Sequence, residues 1–341
     1  MAGATVLKSF ARLTLACLFI CASGSSGRSR AETFKVPFAS LSPNYAPLWA
    51  ADAADLFKKY RLDVQPIYIS SGSVIVPALL SGEVKIANMS GAAAITAWAR
   101  GADLALIAVS SDRLLHAVMV SGKIKKPEEL KGKKVGSDRY GSLSDLALRD
   151  ALRYYKLAPD KDVAIIQTGG IPERLGALRA GAIDGAMLTG DSKLQAEKLG
   201  YHAVIDLSAL PIRYPSSGIV VTRAFLRGNR DTLKRFLKAW IEGIRVIKTD
   251  KEFTKKVLRK YLKIEDEEIL SKTYEIYKDV HEKVPYPGRV GVAFALERLA
   301  AGFPEAAKLR ADDFLDGEIV SELEREGFIK EIYSESPSRQ G

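Results

Sequence analysis

Ala78-Leu79-Leu80-Ser81-Gly82-Glu83-Val84-Lys85-Ile86-Ala87-Asn88-Met89-Ser90-Gly91 aligns without gaps to Ala177-Leu178-Arg179-Ala180-Gly181-Ala182-Ile183-Asp184-Gly185-Ala186-Met187-Leu188-Thr189-Gly190, at an offset of 99 residues with five identities in fourteen positions. Each stretch reads as a helix end, a glycine C-cap, a strand and a Ser/Thr-Gly turn. Solenoid repeats recur every ~20 to 50 residues, so this spacing predicts two similar α/β lobes rather than an array. Unrelated helix-turn-strand units share part of the pattern, and the flanking sequence has to carry the rest.

Outward from the pair, short β-type runs alternate with helical periodicity, the pattern of α/β proteins. Strands are expected at Phe34 to Ala39, Val64 to Ile69, Val84 to Met89, Leu104 to Val109, Leu115 to Val120, Lys134 to Ser137, Val163 to Gln167, Ile183 to Leu188, His202 to Asp206 and Gly218 to Thr222. Pro47 opens a helix whose apolar residues Trp49, Ala53, Leu56, Phe57 and Tyr60 fall on one face. After Ala224 the chain turns helix-rich, with helices expected at Asp231 to Thr249, Lys251 to Tyr261, Asp266 to Lys278, Gly291 to Ala301 and Ile319 to Gly327.

With 47% hydrophobic and 27% charged residues in 341, the chain has the balance of a globular protein large enough for two cores, which excludes a disordered tail function. The formal charge of +10 owes part of its size to residues 1–31, where Lys8, Arg12, Arg28 and Arg30 stand with no acid. Lys8 and Arg12 precede the ten-residue run Leu13 to Ala22, and small residues lead to Ser29-Arg30-Ala31. That order is the positive, apolar, small-residue order of a secretory leader cleaved after Ala31, so the mature protein is expected to be soluble and exported. Both cysteines, Cys17 and Cys21, lie in that run, so the mature chain has no thiol; lipid anchoring at one of them is the alternative to cleavage.

The run Pro127-Glu128-Glu129-Leu130-Lys131-Gly132-Lys133-Lys134-Val135-Gly136, then Gly141-Ser142 and Ala177 to Asp184, with Asp312 to Asp316 and Glu326-Gly327-Phe328 further on, resembles the periplasmic substrate-binding proteins of ABC importers. Within these it is similar to the branch of nitrate, taurine, aliphatic sulfonate and thiamine-pyrimidine-precursor binders. The resemblance implies an α/β type II periplasmic-binding-protein fold: two lobes joined by two crossovers, with a ligand cleft between them. It implies lobe 1 at 32–112 and 213–341 and lobe 2 at 113–212. It further implies a monomer without cofactor that passes a small solute to permease subunits in the inner membrane.

In open α/β sheets ligands sit beyond the carboxyl ends of strands, where turns feed helix N-termini. Six such turns are rich in Ser, Thr and Gly: Ser42-Pro43-Asn44-Tyr45, Ser70-Ser71-Gly72-Ser73 and Ser90-Gly91 in the first lobe, then Arg139-Tyr140-Gly141-Ser142, Thr168-Gly169-Gly170 and Thr189-Gly190-Asp191 in the second. Backbone N–H groups and hydroxyls at helix starts suit a carboxylate or sulfonate. The candidate ligand-binding residues are therefore Asn44, Tyr45, Ser71, Gly72, Ser73, Ser90, Gly91, Arg139, Gly141, Ser142, Gly169, Gly170, Thr189, Asp191 and Tyr214. Several of these have a plain alternative role as helix caps, Ser142 and Asp191 above all. Trp49 lies on an apolar stripe and is expected in the core, and Arg113 and Arg213 fall at the crossovers.

Signs of catalysis are weak. His116, His202 and His281 show no metal-ligand spacing, and His116 in a strand reads as structural. Gly136 to Ser142 imitates a phosphate loop but carries Ser142 where the lysine belongs, and no G-x-S-x-G elbow occurs. The lysines at 123, 125, 126, 131, 133 and 134 are interrupted by Glu128 and Glu129 and read as a solvated face, and export argues against nucleic acid. The expectation is a binding protein for a small anionic organic solute, not an enzyme. The alternatives are a pyrimidine-precursor-related enzyme on the same fold, which lacks its His/Cys cluster here, and a sensor module presenting ligand to a membrane receptor.

Overall fold

Ten strands, in a computed structural model that describes residues 33–334, make two five-stranded sheets. They are β1 (Thr33–Phe38), β2 (Asp63–Tyr68), β3 (Ile86–Met89), β4 (Leu104–Ser111), β5 (His116–Val120), β6 (Lys134–Ser137), β7 (Ala164–Gln167), β8 (Gly185–Thr189), β9 (His202–Asp206) and β10 (Ser217–Thr222). The first sheet runs β2-β1-β3-β10-β4 and the second β7-β6-β8-β5-β9. In each, the second strand pairs in parallel with the first and third, and the fourth runs antiparallel to the third. The two halves of the internal echo end on β3 and β8, the central strands of their sheets. The chain passes from the first sheet to the second between Ser111 and His116 and returns between Asp206 and Ser217.

Each expected strand forms. β4 and β5 are buried along their whole length, as strands covered on both faces by helices must be. The helix expected from Pro47 through Tyr60 is broken. It runs Ala46–Ala53, Asp55 turns left-handed at φ 54°, and a short helix Leu56–Lys59 follows. The break keeps Leu56 and Phe57 in the core, where the Phe57 ring stacks on Phe236 with centroids 5.3 Å apart. Trp49 is fully buried as expected and stacks on Tyr261 at 4.6 Å.

The C-terminal helices pack against the elements around the first sheet. The Arg230–Thr249 helix crosses the Ala46–Ala53 helix so closely that a Cβ on Gly243 would overlap the Pro47 carbonyl oxygen, and only glycine fits there. The segment ending at Phe314 covers the outer edge of β4: Leu106 N–H donates to Phe314 O at 3.1 Å and Asp316 N–H to Leu106 O at 3.0 Å. That occupies the β4 edge at Leu106 against pairing with another chain. Among the described residues no helix is long and apolar enough to cross a membrane. The expected leader and both cysteines lie outside the described residues.

Candidate cleft site

The carboxyl ends of the parallel strands in both sheets face one cavity. From the first sheet, the turn after β1 contributes Ala39, Ser42, Asn44 and Tyr45, the turn after β2 Gly72, and the end of β3 Ser90. From the second come Asp138 and Ser142 to Ser144 after β6, Arg174 from the helix after β7, and Thr189 at the end of β8. His116 and Ser216 join them because β5 and β10 run antiparallel. Their beginnings lie beside the ends of their neighbours, with His116 paired to Thr189 and Gly218 to Met89.

Six of the expected residues line this cavity: Asn44, Tyr45, Gly72, Ser90, Ser142 and Thr189. The others stand beside it or away from it. Ser71, in a left-handed conformation at φ 82°, places its hydroxyl 2.8 Å from that of Ser73, so the two satisfy each other. Gly91 donates its N–H to Pro215 O at 2.8 Å, and Gly141 donates its own to Asp145 at 2.8 Å, so neither amide is free. Gly169 carries φ 93°, and Gly170 packs against the Tyr68 hydroxyl from the opposite sheet. Asp191 is buried at the start of its helix, accepts from Gln195 at 3.0 Å and is pushed up to about 7 by burial. Tyr214 is buried with its hydroxyl donating to Asp150 at 2.7 Å, so its polar tip is spent inside the protein. Arg139 is exposed outside the lining, and half-exposed Tyr140 turns outward to donate to Ile165 O.

The interior cation is Arg174, only 4% exposed. Its Nη1 donates to Ser144 Oγ at 2.9 Å, while Nε has no partner. Burial lowers its pKa and the field of Asp138 raises it again. Asp138 is 8% exposed, and its carboxyl is held above the usual range by burial, opposed by Arg174 and a backbone hydrogen bond from Arg139. Ser144 Oγ is the hub of this corner, accepting from the Asp138 N–H at 3.2 Å as well as from Arg174. His116 is brought down to about 4 by burial and by Arg174, which makes it a neutral imidazole at pH 7 with Nδ1 unpartnered.

Asp138 and Ser144 lie just outside the Arg139 to Ser142 turn on its two sides, Arg174 lies within a helix, and His116 in its strand reads as structural, so none of the four stands among the expected residues. Arg174 does leave a trace: it shares a helical stripe with buried Ile171 and Leu178, a charge on an apolar face. His116 is found by noticing that an antiparallel strand begins where its parallel neighbours end. Contacts also cross between the walls. Ser70 Oγ donates to Asp138 at 3.4 Å, Thr189 Oγ1 lies 3.1 Å from the Tyr277 hydroxyl, and Lys198 pairs with Asp266 at 2.6 Å. Among the described residues no group of His, Cys, Asp or Glu could hold a metal ion.

Residues 42–252 match the family model described as NMT1/THI5 like. A provisionally named ABC transporter periplasmic binding protein of Brachyspira hyodysenteriae is 28% identical over 259 residues, covering 69% of this chain and 72% of that protein. The periplasmic nitrate-binding protein NrtA of Synechocystis superposes with a TM-score of 0.71 at 17% identity, over 91% of this chain and 93% of its own. The periplasmic aliphatic sulphonate binding protein SsuA of Escherichia coli does so at 0.63 and 19%, over 80% and 87%. At these identities the two structures establish the periplasmic-binding-protein fold.

Proposed function

The chain belongs to the NMT1/THI5-like family, and from that premise we propose that it is an exported solute-binding protein that captures a small anionic organic molecule between its lobes and delivers it to an ABC permease. The observation that carries the proposal is Arg174, a buried guanidinium with an unpartnered Nε on a cavity that also collects several helix starts. A carboxylate or sulfonate there gains charge-assisted hydrogen bonds of about 1.5 to 3 kcal/mol each. The names of the relatives support a transport role, and the lobe division at 112/113 and 212/213 belongs to this reading. Export rests on the leader-like residues 1–31 and the monomeric state on the family resemblance. A catalytic reading has less support, because His116 is held far below the pH at which it would exchange protons.

Titration calorimetry of size-matched carboxylates, sulfonates and neutral amides tests the proposal. Arg174→Ala is expected to lose at least about tenfold in affinity for a bound anion, or ~1.4 kcal/mol, and to leave a neutral analogue nearly unaffected. Unchanged anion affinity in that variant removes the proposal's basis. A bound ligand at about 100 times its Kd also stabilises the fold by about 2.7 kcal/mol, and hinge closure contracts the radius of gyration.

A further inference from the structure

We infer that Asp138 sets the specificity of the cleft, admitting anions that carry their own N–H donor and disfavouring bare oxyanions. The inference rests on reading the cavity as an anion site and narrows it to a ligand class. Arg174 and Asp138 both line the cavity and both are more than nine-tenths buried. No ion pair joins them, yet each lies in the field of the other. The two opposite charges therefore sit at one corner of the cavity wall, linked through Ser144 Oγ and not paired in direct contact. An oxyanion seated on Arg174 meets the Asp138 carboxylate as a like charge in a site shielded from water, where such repulsion is strong.

The hydrogen-bond inventory points the same way. A carboxylate offers about four acceptor positions, and that of Asp138 accepts from the Ser70 hydroxyl at 3.4 Å and from the Arg139 backbone N–H, which leaves room for a further donor. Asn44 Oδ1, on the opposite wall of the same cavity, is a buried acceptor with no partner. Nitrate and an alkanesulfonate have no donor to give either group. A ligand with an ammonium, amidinium or amide N–H beside its anionic end answers Arg174 with one end and Asp138 or Asn44 with the other. Buried acceptors left unpaired weigh against the competitor lacking the donor, and this is the usual origin of strong discrimination.

The test compares matched probes by calorimetry: 3-aminopropanoate with propanoate, and 3-aminopropanesulfonate with propanesulfonate. In the wild-type protein the amino-bearing member of a pair is expected to bind at least about tenfold tighter. In Asp138→Asn, which keeps shape and removes the charge, that preference falls to roughly threefold or less, with the plain anion gaining affinity. Asp138→Ser repeats the measurement should the amide disturb folding, and thermal melts confirm that each variant is folded. A preference that survives both substitutions, or a wild-type protein that takes the plain anion equally well, overturns the role of Asp138. Loss of that preference with anion binding abolished by Arg174→Ala supports both readings. Anion binding indifferent to Arg174→Ala, or no binding of any probe, overturns the anion site itself.

Discussion

The two walls of the cleft stand on sheets of the same strand order, and charge has been placed in only one of them. The offset of 99 residues that defines the internal echo carries Ser90 onto Thr189, Ala39 onto Asp138 and Ile75 onto Arg174. Ser90 and Ala39 line the cavity with a hydroxyl and a methyl group, Ile75 is buried outside the lining, and at two of the three pairs the second wall presents an ion. Ile75 and Arg174 occupy the same position, the fourth residue of their helices, and both are buried. Matching backbone frames therefore repeat a residue's position in its element without fixing its chemistry or whether it reaches the cavity.

The comparison is broken most forcefully where the walls touch. Gly190 has φ 59°, and a Cβ there would lie 2.9 Å from Pro43 Cδ on the opposite wall. Gly141 has φ 75° with nothing within 4 Å of that position. Gly190→Ala is expected to cost about 2 to 4 kcal/mol in urea unfolding, from left-handed strain plus overlap, and Gly141→Ala about 1 kcal/mol from strain alone. Equal losses would mean that the walls give way to each other freely.

Titration sharpens the contrast next. His116 and His281 are depressed to about 4 and about 3, in both cases chiefly by burial. Unfolded, they bind protons near 6.5, so their contribution is full above that value and is lost as pH falls through the folded values. Asp191 behaves in the opposite sense: raised to about 7, it holds a proton in the fold, a contribution present at low pH and lost as pH rises from its ordinary 3.8 through 7. Replacing His281 with Gln should flatten the rise in melting temperature between pH 4.5 and 6.5. Asp191→Asn should raise the melting temperature at pH 8 and leave it little changed at pH 4.

A finer distinction concerns the hydroxyls. Ser142 accepts from the Asp145 N–H at 3.3 Å and caps its helix, whereas Ser90 makes no cap bond with its side chain. Ser142→Ala is expected to lose about 1 kcal/mol of stability. Ser90→Ala leaves stability within about 0.5 kcal/mol and weakens a bound anion by roughly threefold to tenfold. Denaturation and calorimetry on the same two variants separate a cap from a ligand contact. Smallest of all is Arg139→Ala, expected to change affinity by less than about twofold, because its exposed side chain lies in solvent beside the cavity.

Periodicity and the echo determined the ten strands, the two-lobe organisation, the buried Trp49 and six of the residues on the cavity, because each of these follows from local pattern and strand-end geometry. The same local rules read Tyr214 and Arg139 as cleft residues, since proximity to a turn says nothing about rotamer or about a distant acceptor such as Asp150. Tertiary structure alone decided that the Pro47 to Tyr60 helix breaks at Asp55, that β5 and β10 bring His116 and Ser216 to the cavity, and that Arg174 and Asp138 meet at one corner of it around Ser144. Those outcomes depend on which strands pair antiparallel and on what lies within a few ångströms from remote parts of the chain, and a pattern along one segment does not contain that information.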